Sequence, residues 1–327
     1  MALLLCFSGT LQAADGGKSV YLLGKRGPLA AFVPKPGIYL TNDVYFYDAS
    51  SSDFLPVGGF LAQDMTAEAL IDIPQFTWVT DISVAGGRLA FSALLPFGTI
   101  DVDARGSVQL PDGTEISRGR SDSDSGFGDP IVGASLGWKH RDGDRFRAWS
   151  GYSSVWIPIG SYDQDSIANL GSNRWALDVG GAYTMANFKG GRELSAVAGV
   201  TFNGENQDKD YDSGTELHLE LAGKQHLPQG WSGGLVGYYY KQLSSDSGSA
   251  AVLGDFKGEV AGFGPEISWQ IKTKMPLTLD LRWYHEFSAE NRLEGDGIFL
   301  TASMPLRIRP PRDPATDWTP DVQEQGE

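Results

Sequence analysis

One stretch of eleven residues limits what this chain can fold into. Between Leu277 and Phe287 the sequence reads LTLDLRWYHEF, and apolar and polar side chains alternate along most of it. A period of two is typical of a β-strand whose two faces meet different environments. The length also suits a tilted strand that crosses a bilayer, which needs roughly 9–11 residues. The stretch therefore predicts a transmembrane strand with an apolar outer face and a charged inner face.

Composition excludes several classes of protein. The mean hydropathy is −0.22, and the sequence has no continuous apolar run of the roughly 18–20 residues that a spanning helix needs. A β-barrel is compatible with this hydropathy because only alternate residues face lipid. The net charge of −15 argues against a phosphate-neutralising surface, so we expect no nucleic-acid partner. The single cysteine, Cys6, lies near the start of the chain, which excludes a disulfide framework.

Further segments with the same alternation follow one another from Ile38 onward, separated by turn-forming residues. We predict about twelve strands: Ile38–Asp48, Leu70–Thr80, Arg88–Phe97, Pro130–Lys139, Arg145–Ile157, Arg174–Ala186, Glu193–Asn203, Thr215–Lys224, Trp231–Leu243, Glu259–Ile271, Leu277–Ser288 and Asp296–Leu306.

The connections between these segments alternate in length. The long stretch Ala49–Ala69 is followed by the short Asp81–Gly87, and Gly98–Asp129 by His140–Asp144. Bacterial outer-membrane barrels combine short periplasmic turns with longer outer loops and an even number of strands. The sequence therefore predicts an all-β chain, an antiparallel up-and-down barrel of about twelve strands in the bacterial outer membrane. Both chain ends are expected in the periplasm.

The chain divides into four expected parts. Residues 1–14 have an apolar core and a small-residue exit but lack a basic start, which predicts a truncated signal peptide. Residues 15–37 are rich in Gly, Pro and basic residues, so they form either a flexible periplasmic leader or a small plug that places its basic side chains in an acidic lumen. The barrel spans residues 38–306, and the Pro-rich, charged residues 307–327 are expected to form a disordered periplasmic tail.

Charged and polar side chains lie on the inward faces of the predicted strands. We expect the lumen and the solute path to be lined by Asp178, Glu216, His218, Glu220, Glu266, Asp280, Arg282, Tyr284 and Glu286. These charges either satisfy one another across a narrow lumen or form the wall of a conduit. A barrel of twelve strands lies between the filled eight-stranded and the open sixteen-stranded barrels, so a narrow or plugged pathway is expected.

One predicted strand is interrupted. The sequence Gly262-Phe263-Gly264-Pro265 lies within Glu259–Ile271, and proline removes a ladder donor while glycine allows a bend. Two interpretations stand: a lateral opening that lets an apolar solute leave into the membrane, or a bulge that only curves the wall.

No catalytic, metal or cofactor site is predicted. The four histidines, His140, His218, His226 and His285, are scattered, so no His-based metal set can be drawn. The neighbours His285 and Ser288 give the only support for a membrane-embedded hydrolase.

Several motifs resemble a known family. They are Gly126–Pro130 (GFGDP), Trp156–Asp163 (WIPIGSYD), Asn169–Gly171 (NLG), Trp175, and Leu227–Trp231 together with Gly237–Tyr240. These residues resemble the outer-membrane proteins named for the meta-pathway of phenol degradation, and the similarity runs from about Ile38 to Leu306. The resemblance implies a relative of the hydrophobic-compound channels, with passage of small hydrophobic or aromatic compounds, and it brings no catalytic residues.

The sequence thus predicts a monomeric, non-enzymatic outer-membrane channel for passive uptake of phenol-like compounds, with the solute and membrane lipid as its partners. A structural or adhesive surface barrel that acts through acidic outer loops, such as Ser121–Asp129 and Asp208–Gly214, is the alternative. The membrane-embedded hydrolase is a further one.

Overall fold

The computed structural model of the protein describes residues 19–51, 53–57, 60–109, 115–249, 251, 257–273 and 275–308. The predicted signal peptide and almost all of the predicted C-terminal tail lie outside these residues. Within the described part of the chain, no helix has the length and apolarity needed to cross a membrane.

The described residues form a sequence of β-strands joined by turns and loops. Their bounds are β1 Gly37–Ser51, β2 Leu55–Val57, β3 Phe60–Ala62, β4 Asp64–Val84, β5 Gly87–Leu94, β6 Phe97–Gln109, β7 Glu115–Phe127, β8 Ile131–Asp142, β9 Arg145–Trp156, β10 Ala176–Asn187, β11 Arg192–Asn203, β12 Thr215–His226, β13 Trp231–Gln242, β14 Glu259–Ile271, β15 Leu277–Glu290 and β16 Glu294–Ile308.

These strands close into an antiparallel barrel. From β8 to β16 each strand pairs with the next, β16 pairs with β1, β1 with β4, β4 with β5, and β5 with β8. The result is a closed wall of twelve strands, which confirms the predicted fold class. The short hairpin β2–β3 lies outside this wall.

At the long-loop end, two further strands, β6 and β7, extend beyond the closed wall. β6 follows β5, and β7 leads into β8, so that β6 and β7 form a hairpin that pairs with the first part of β4. The prediction of a loop over Gly98–Asp129 was wrong for this reason. The outward residues of the hairpin are polar, for example Asp101 and Asp103, whereas the inward Val102 and Ala104 are buried. A strand that extends above the lipid needs no apolar outer face.

An apolar band covers the outside of the barrel. Along β15 the side chains of Leu279, Leu281 and Trp283 are exposed on the surface, whereas Arg282 and Tyr284 between them are buried in the interior. Aromatic pairs lie beside the short turns and also toward the long loops. The pairs are Trp78–Phe91, Trp138–Trp149 and Trp231–Trp269 at the first end, and Phe97–Phe127 and Phe263–Phe287 at the second. Such a band with aromatic rims is characteristic of outer-membrane barrels, and it places the chain in the bacterial outer membrane.

Three prolines mark the boundary between the barrel and the outer hairpin. The carbonyl of Pro74 accepts a hydrogen bond from Leu95 N at 3.2 Å, and that of Pro96 accepts one from Gly128 N at 2.9 Å. Pro130 repeats the pattern with Ile157 N at 2.9 Å. Proline lacks the N–H group of a ladder. At these three positions the hydrogen-bond ladder therefore lacks a donor, which marks the line between the barrel and the hairpin.

Candidate functional site

Residues 19–36, here called the plug, run inside the barrel before the chain enters β1. The first contacts are with β12. Ser19 Oγ donates a hydrogen bond to Glu216 Oε2 at 2.5 Å, and Tyr21 Oη donates one to Glu220 Oε1 at 2.5 Å. The Tyr21 ring also stacks on His218, with ring centroids 3.6 Å apart. Three successive inward residues of one strand thus bind the start of the plug.

The middle of the plug crosses to β15. The carbonyl of Gly24 accepts hydrogen bonds from Arg282 Nη1 at 2.7 Å and from Tyr284 Oη at 3.0 Å. Gly24 has φ +80°, and a Cβ at this position would lie 2.7 Å from the Tyr284 ring, so only glycine fits without displacement. Lys25 forms an ion pair with Asp43 of β1. The crossing is therefore fixed by shape as well as by charge.

The later part of the plug lies nearer the short-turn end. The Arg26 guanidinium lies over the Tyr152 ring, 3.6 Å from its centroid. Leu29 N donates to Glu193 Oε1 at 2.7 Å, and Ala31 N donates to Thr184 Oγ1 at 3.2 Å. Most of the plug is thus held by one side of the lumen, the inward faces of β9, β10, β11, β12 and β15, which we call the polar wall. Residues 19–36 of this segment thus lie within the lumen, and whether they act as a plug of the channel stays a prediction.

The sequence-predicted lumen residues all lie on inward faces of strands. Their side chains are buried except that of Asp280, which is partly exposed: Asp178, Glu216, His218, Glu220, Glu266, Asp280, Arg282, Tyr284 and Glu286. Those that do not bind the plug bind one another or neighbours. His218 Nε2 lies 2.9 Å from Asp178 Oδ1, and Lys224 Nζ lies 2.8 Å from Glu266 and 3.6 Å from Asp280. A role for any of these residues in the solute path stays a prediction.

The opposite side of the lumen is different. The inward faces of β4 and β5, which we call the apolar wall, carry mainly small and aliphatic side chains: Met65, Ala67, Ala69, Ile71, Ile73, Val79, Ala90 and Leu94. A cavity of 780 Å³ separates this wall from the plug. The sequence reasoning missed it because β4 also has apolar residues on its outward face, Leu70, Phe76 and Trp78. Alternation cannot identify the inner face when both faces are apolar.

A small apolar cluster lies at the long-loop end. Leu55, Val57 and Ala62 of the β2–β3 hairpin are at most 3% exposed and pack with Met65, Val102 and their neighbours. This cluster covers part of the outer mouth of the lumen.

The loop of residues 157–175 lies beside β7. Among the described residues, β7 pairs with β6 only, so one of its edges has no strand partner. Asp129 binds both ends of the loop: Oδ1 accepts from Gly160 N at 2.9 Å, and Oδ2 from Ser172 N at 2.7 Å. Asp124 Oδ2 accepts from Leu170 N at 2.8 Å. The backbone of this loop is thus bound by carboxylates along the edge of β7 that has no strand partner, which we call the seam.

The interruption at Gly262, Phe263, Gly264 and Pro265 lies within β14. Its pairing with β13 continues through these residues, whereas the ladder to β15 skips Gly264 and Pro265. A Cβ at Gly264 would lie 1.9 Å from the Trp283 carbonyl oxygen, so the two backbones are in close contact here. Phe263 faces outward and is exposed. A lateral opening at this point stays a prediction.

The structure also shows where the residues of the hydrolase alternative lie. His285 Nδ1 lies 3.0 Å from Asp296 Oδ1 on the outward face. Ser288, an odd number of residues further along the strand, belongs to the other parity of β15. Among the described residues there is no group of three or more His, Cys, Asp or Glu side chains arranged to hold a metal ion.

Comparison with known proteins identifies the family. Residues 50–302 match the family model described as "Putative MetA-pathway of phenol degradation". The chain belongs to this family. No curated protein matches it.

Solved structures with a similar fold include an outer membrane channel from Pseudomonas putida F1, which is 18% identical over 82% of this chain and 96% of that chain, with a TM-score of 0.62. A FadL homologue from Pseudomonas aeruginosa is 10% identical over 85% of this chain and 92% of that chain, with a TM-score of 0.37. The transport unit of the autotransporter AIDA-I from Escherichia coli is 7% identical over 88% and 92%, with a TM-score of 0.42. The first of these supports the barrel fold of this family member.

Proposed function

We propose that this protein is an outer-membrane channel for passive uptake of small hydrophobic or aromatic compounds, and that the solute moves between the plug and the apolar wall. The main support is the 780 Å³ cavity beside Ala69, Ile71 and Ile73. Pockets that bind apolar solutes are concave and mainly apolar, with a few placed polar groups. This cavity has that character.

The two sides of the lumen have different roles: one binds the plug, and the other faces the open space. The plug lies against the polar wall, where it forms hydrogen bonds with Glu216, Glu220 and Arg282. On its other side the remaining space faces the aliphatic side chains of the apolar wall, which cannot replace the water around an ion. Removing a polar group from water without a new partner is costly. We therefore expect apolar solutes to pass in preference to ions.

Two wall features offer a sideways exit to lipid. One is the β14 interruption at Gly262–Pro265, and the other is the base of the β7 edge at Gly128 and Asp129, beside the loop of residues 157–175 and next to the aromatic rim residue Phe127. The cavity reaches Gly128, Asp129 and Leu170 at the second place. We propose that this seam is the exit. Replacing Pro265 alone by valine, which keeps the close backbone contact at Gly264, should then leave solute flux unchanged, and loss of flux would move the exit to β14.

Flux into liposomes tests the proposal. Phenol or toluene uptake and ion current are measured with the refolded protein and with Ala69→Phe, which narrows the cavity. Ala198→Phe adds the same ring on the exposed outer face of β11 and serves as the matched control. We expect solute flux with little ion current, lost in Ala69→Phe and kept in Ala198→Phe. A correctly folded barrel that passes neither solute would overturn the proposal.

A further inference from the structure

Arg292 stands apart from the other cations that line the lumen. Lys25 is paired with Asp43, Lys224 with Glu266, and Arg282 donates to Gly24 O and Thr301 Oγ1. The Nε and Nη1 atoms of Arg292 are buried and make no hydrogen bond with any residue that the structure describes. A buried donor without an acceptor is costly, and more so when the group is charged. The position therefore suits an acceptor that arrives with a ligand.

The guanidinium is held in place. Arg292 follows Asn291, whose φ of +54° makes the turn between β15 and β16. The Arg292 Cζ atom lies 4.7 Å from the centroid of the Tyr240 ring, a distance that favours a cation–π contact. Both Arg292 and Leu293 line the 780 Å³ cavity. The side chain thus lies where the cavity meets the long-loop end.

Neighbouring carboxylates do not occupy these donors. Glu286 Oε1 accepts from Tyr238 Oη at 2.9 Å, and Glu286 Oε2 accepts from Tyr47 Oη at 3.0 Å and from Gly295 N at 2.9 Å. Glu216 accepts from Ser19 and Asn203. Each of these acids has its own donors, but their charge remains close to Arg292. An arriving anion that carries one charge is therefore favoured over one that carries two.

We propose that Arg292 binds the carboxylate of amphipathic solutes, so that the channel takes apolar monocarboxylates as well as neutral apolar compounds. The proposal rests on the proposed function. The same cavity extends from Arg292 to Ala67, Ile71 and Ile73 of the apolar wall. A carboxylate matches the planar donors of a guanidinium, while the hydrocarbon part of the solute contacts the aliphatic side chains. The site thus contacts both the charged end and the apolar end of the solute.

The test compares two solutes of matched size, octanoate and octanol. Binding to the refolded full-length protein is measured by titration calorimetry with the wild type, Arg292→Gln, Arg292→Lys and Arg105→Gln. Arg105 lies exposed on the outer hairpin, so its replacement removes one charge without touching the lumen. We expect Arg292→Gln to weaken octanoate binding about tenfold or more, since a charged hydrogen-bonded pair is lost. Octanol binding should stay unchanged, and Arg105→Gln should behave as the wild type.

The outcomes separate this inference from the proposed function. Wild-type protein that binds octanoate no more tightly than octanol overturns the role of Arg292 but leaves a hydrophobic channel intact. Equal octanoate affinities for wild type and Arg292→Gln would likewise overturn the role of Arg292 and leave the hydrophobic channel intact. If Arg292→Gln does not fold, Arg292→Lys decides: it keeps the charge but loses the planar donors, so octanoate affinity should fall partway. Failure of both solutes to bind overturns both proposals.

Discussion

Tyr21 and Glu220 form the contact that fixes the start of the plug: the phenol oxygen donates to the carboxylate at 2.5 Å. Burial raises the pKa of the Tyr21 phenol well above its usual value, and the charge of Glu220 adds to the rise. The phenol therefore stays protonated and remains a donor at physiological pH. Its ring meanwhile stacks on His218. One side chain thus joins the plug to two residues of β12.

Loss of this contact should open the lumen. Tyr21→Ala removes both the buried hydrogen bond to Glu220 and the stacked ring, so we expect the closed state to lose about 1–3 kcal/mol. Tyr21→Phe keeps the ring and should have a smaller effect. Single-channel recording should show more frequent or larger openings in the order wild type, Tyr21→Phe, Tyr21→Ala. Tyr239→Phe removes a comparable bond to Glu259 on the outer surface and should leave the current unchanged.

Gly199 should resist substitution. A Cβ there would lie 2.4 Å from His218 Nε2 and 2.6 Å from Tyr152 Oη. We expect Gly199→Val to destabilise the barrel by about 1–3 kcal/mol, as overpacking does elsewhere, measured by urea unfolding in lipid. At Gly151 an added Cβ has no atom within 4 Å among the described residues. A Gly151→Val variant as unstable as Gly199→Val would contradict the steric explanation.

The apolar band should have a sharp upper limit. Leu281 lies on the outer face of β15, so Leu281→Arg is expected to cost about 2–4 kcal/mol in bilayer folding experiments. Ser123 is exposed on the outer face of β7, above Phe127. Ser123→Arg should change stability by less than about 0.5 kcal/mol. A large cost at Ser123 would mean that the hairpin contacts lipid.

Asp129 should hold the loop of residues 157–175 against the wall. In Asp129→Asn one acceptor oxygen becomes a donor that faces Gly160 N or Ser172 N, and we expect a loss of about 1–3 kcal/mol in loop docking. Limited proteolysis of the folded barrel should then cleave the loop faster. Asp142→Asn, at an exposed short turn, serves as the control. Equal cleavage rates in both variants would show that Asp129 does not hold the loop against the wall.

The sequence predicted the wall well because lipid imposes a period of two on each strand. The segment Leu277–Ser288 was expected as a strand, and β15 spans Leu277–Glu290. Where the outer face does not meet lipid, the signal disappears. The β6–β7 hairpin was expected as a loop for this reason, since Ser123 pairs with Asp101 on a solvated face.

The lumen was less predictable because its contacts join distant parts of the chain. Nothing near Gly24 in the sequence indicates that its carbonyl binds Arg282 and Tyr284. The basic residues Lys25 and Arg26 raised a plug as one of two interpretations, but alternation could not choose between them. Arg292 was missed as well, because it lies in a turn, outside any alternating segment.

The plug belongs to the same chain as the barrel that it occupies. Gly37 begins β1 directly after the plug, so a displaced plug stays within reach of its own lumen. Tethered groups of this kind meet at effective concentrations on the order of millimolar. Reclosure is then a unimolecular step, and the fraction of closed channels does not depend on how many copies the membrane holds. A cell that produces more of this protein gains capacity for solute without making each copy leakier.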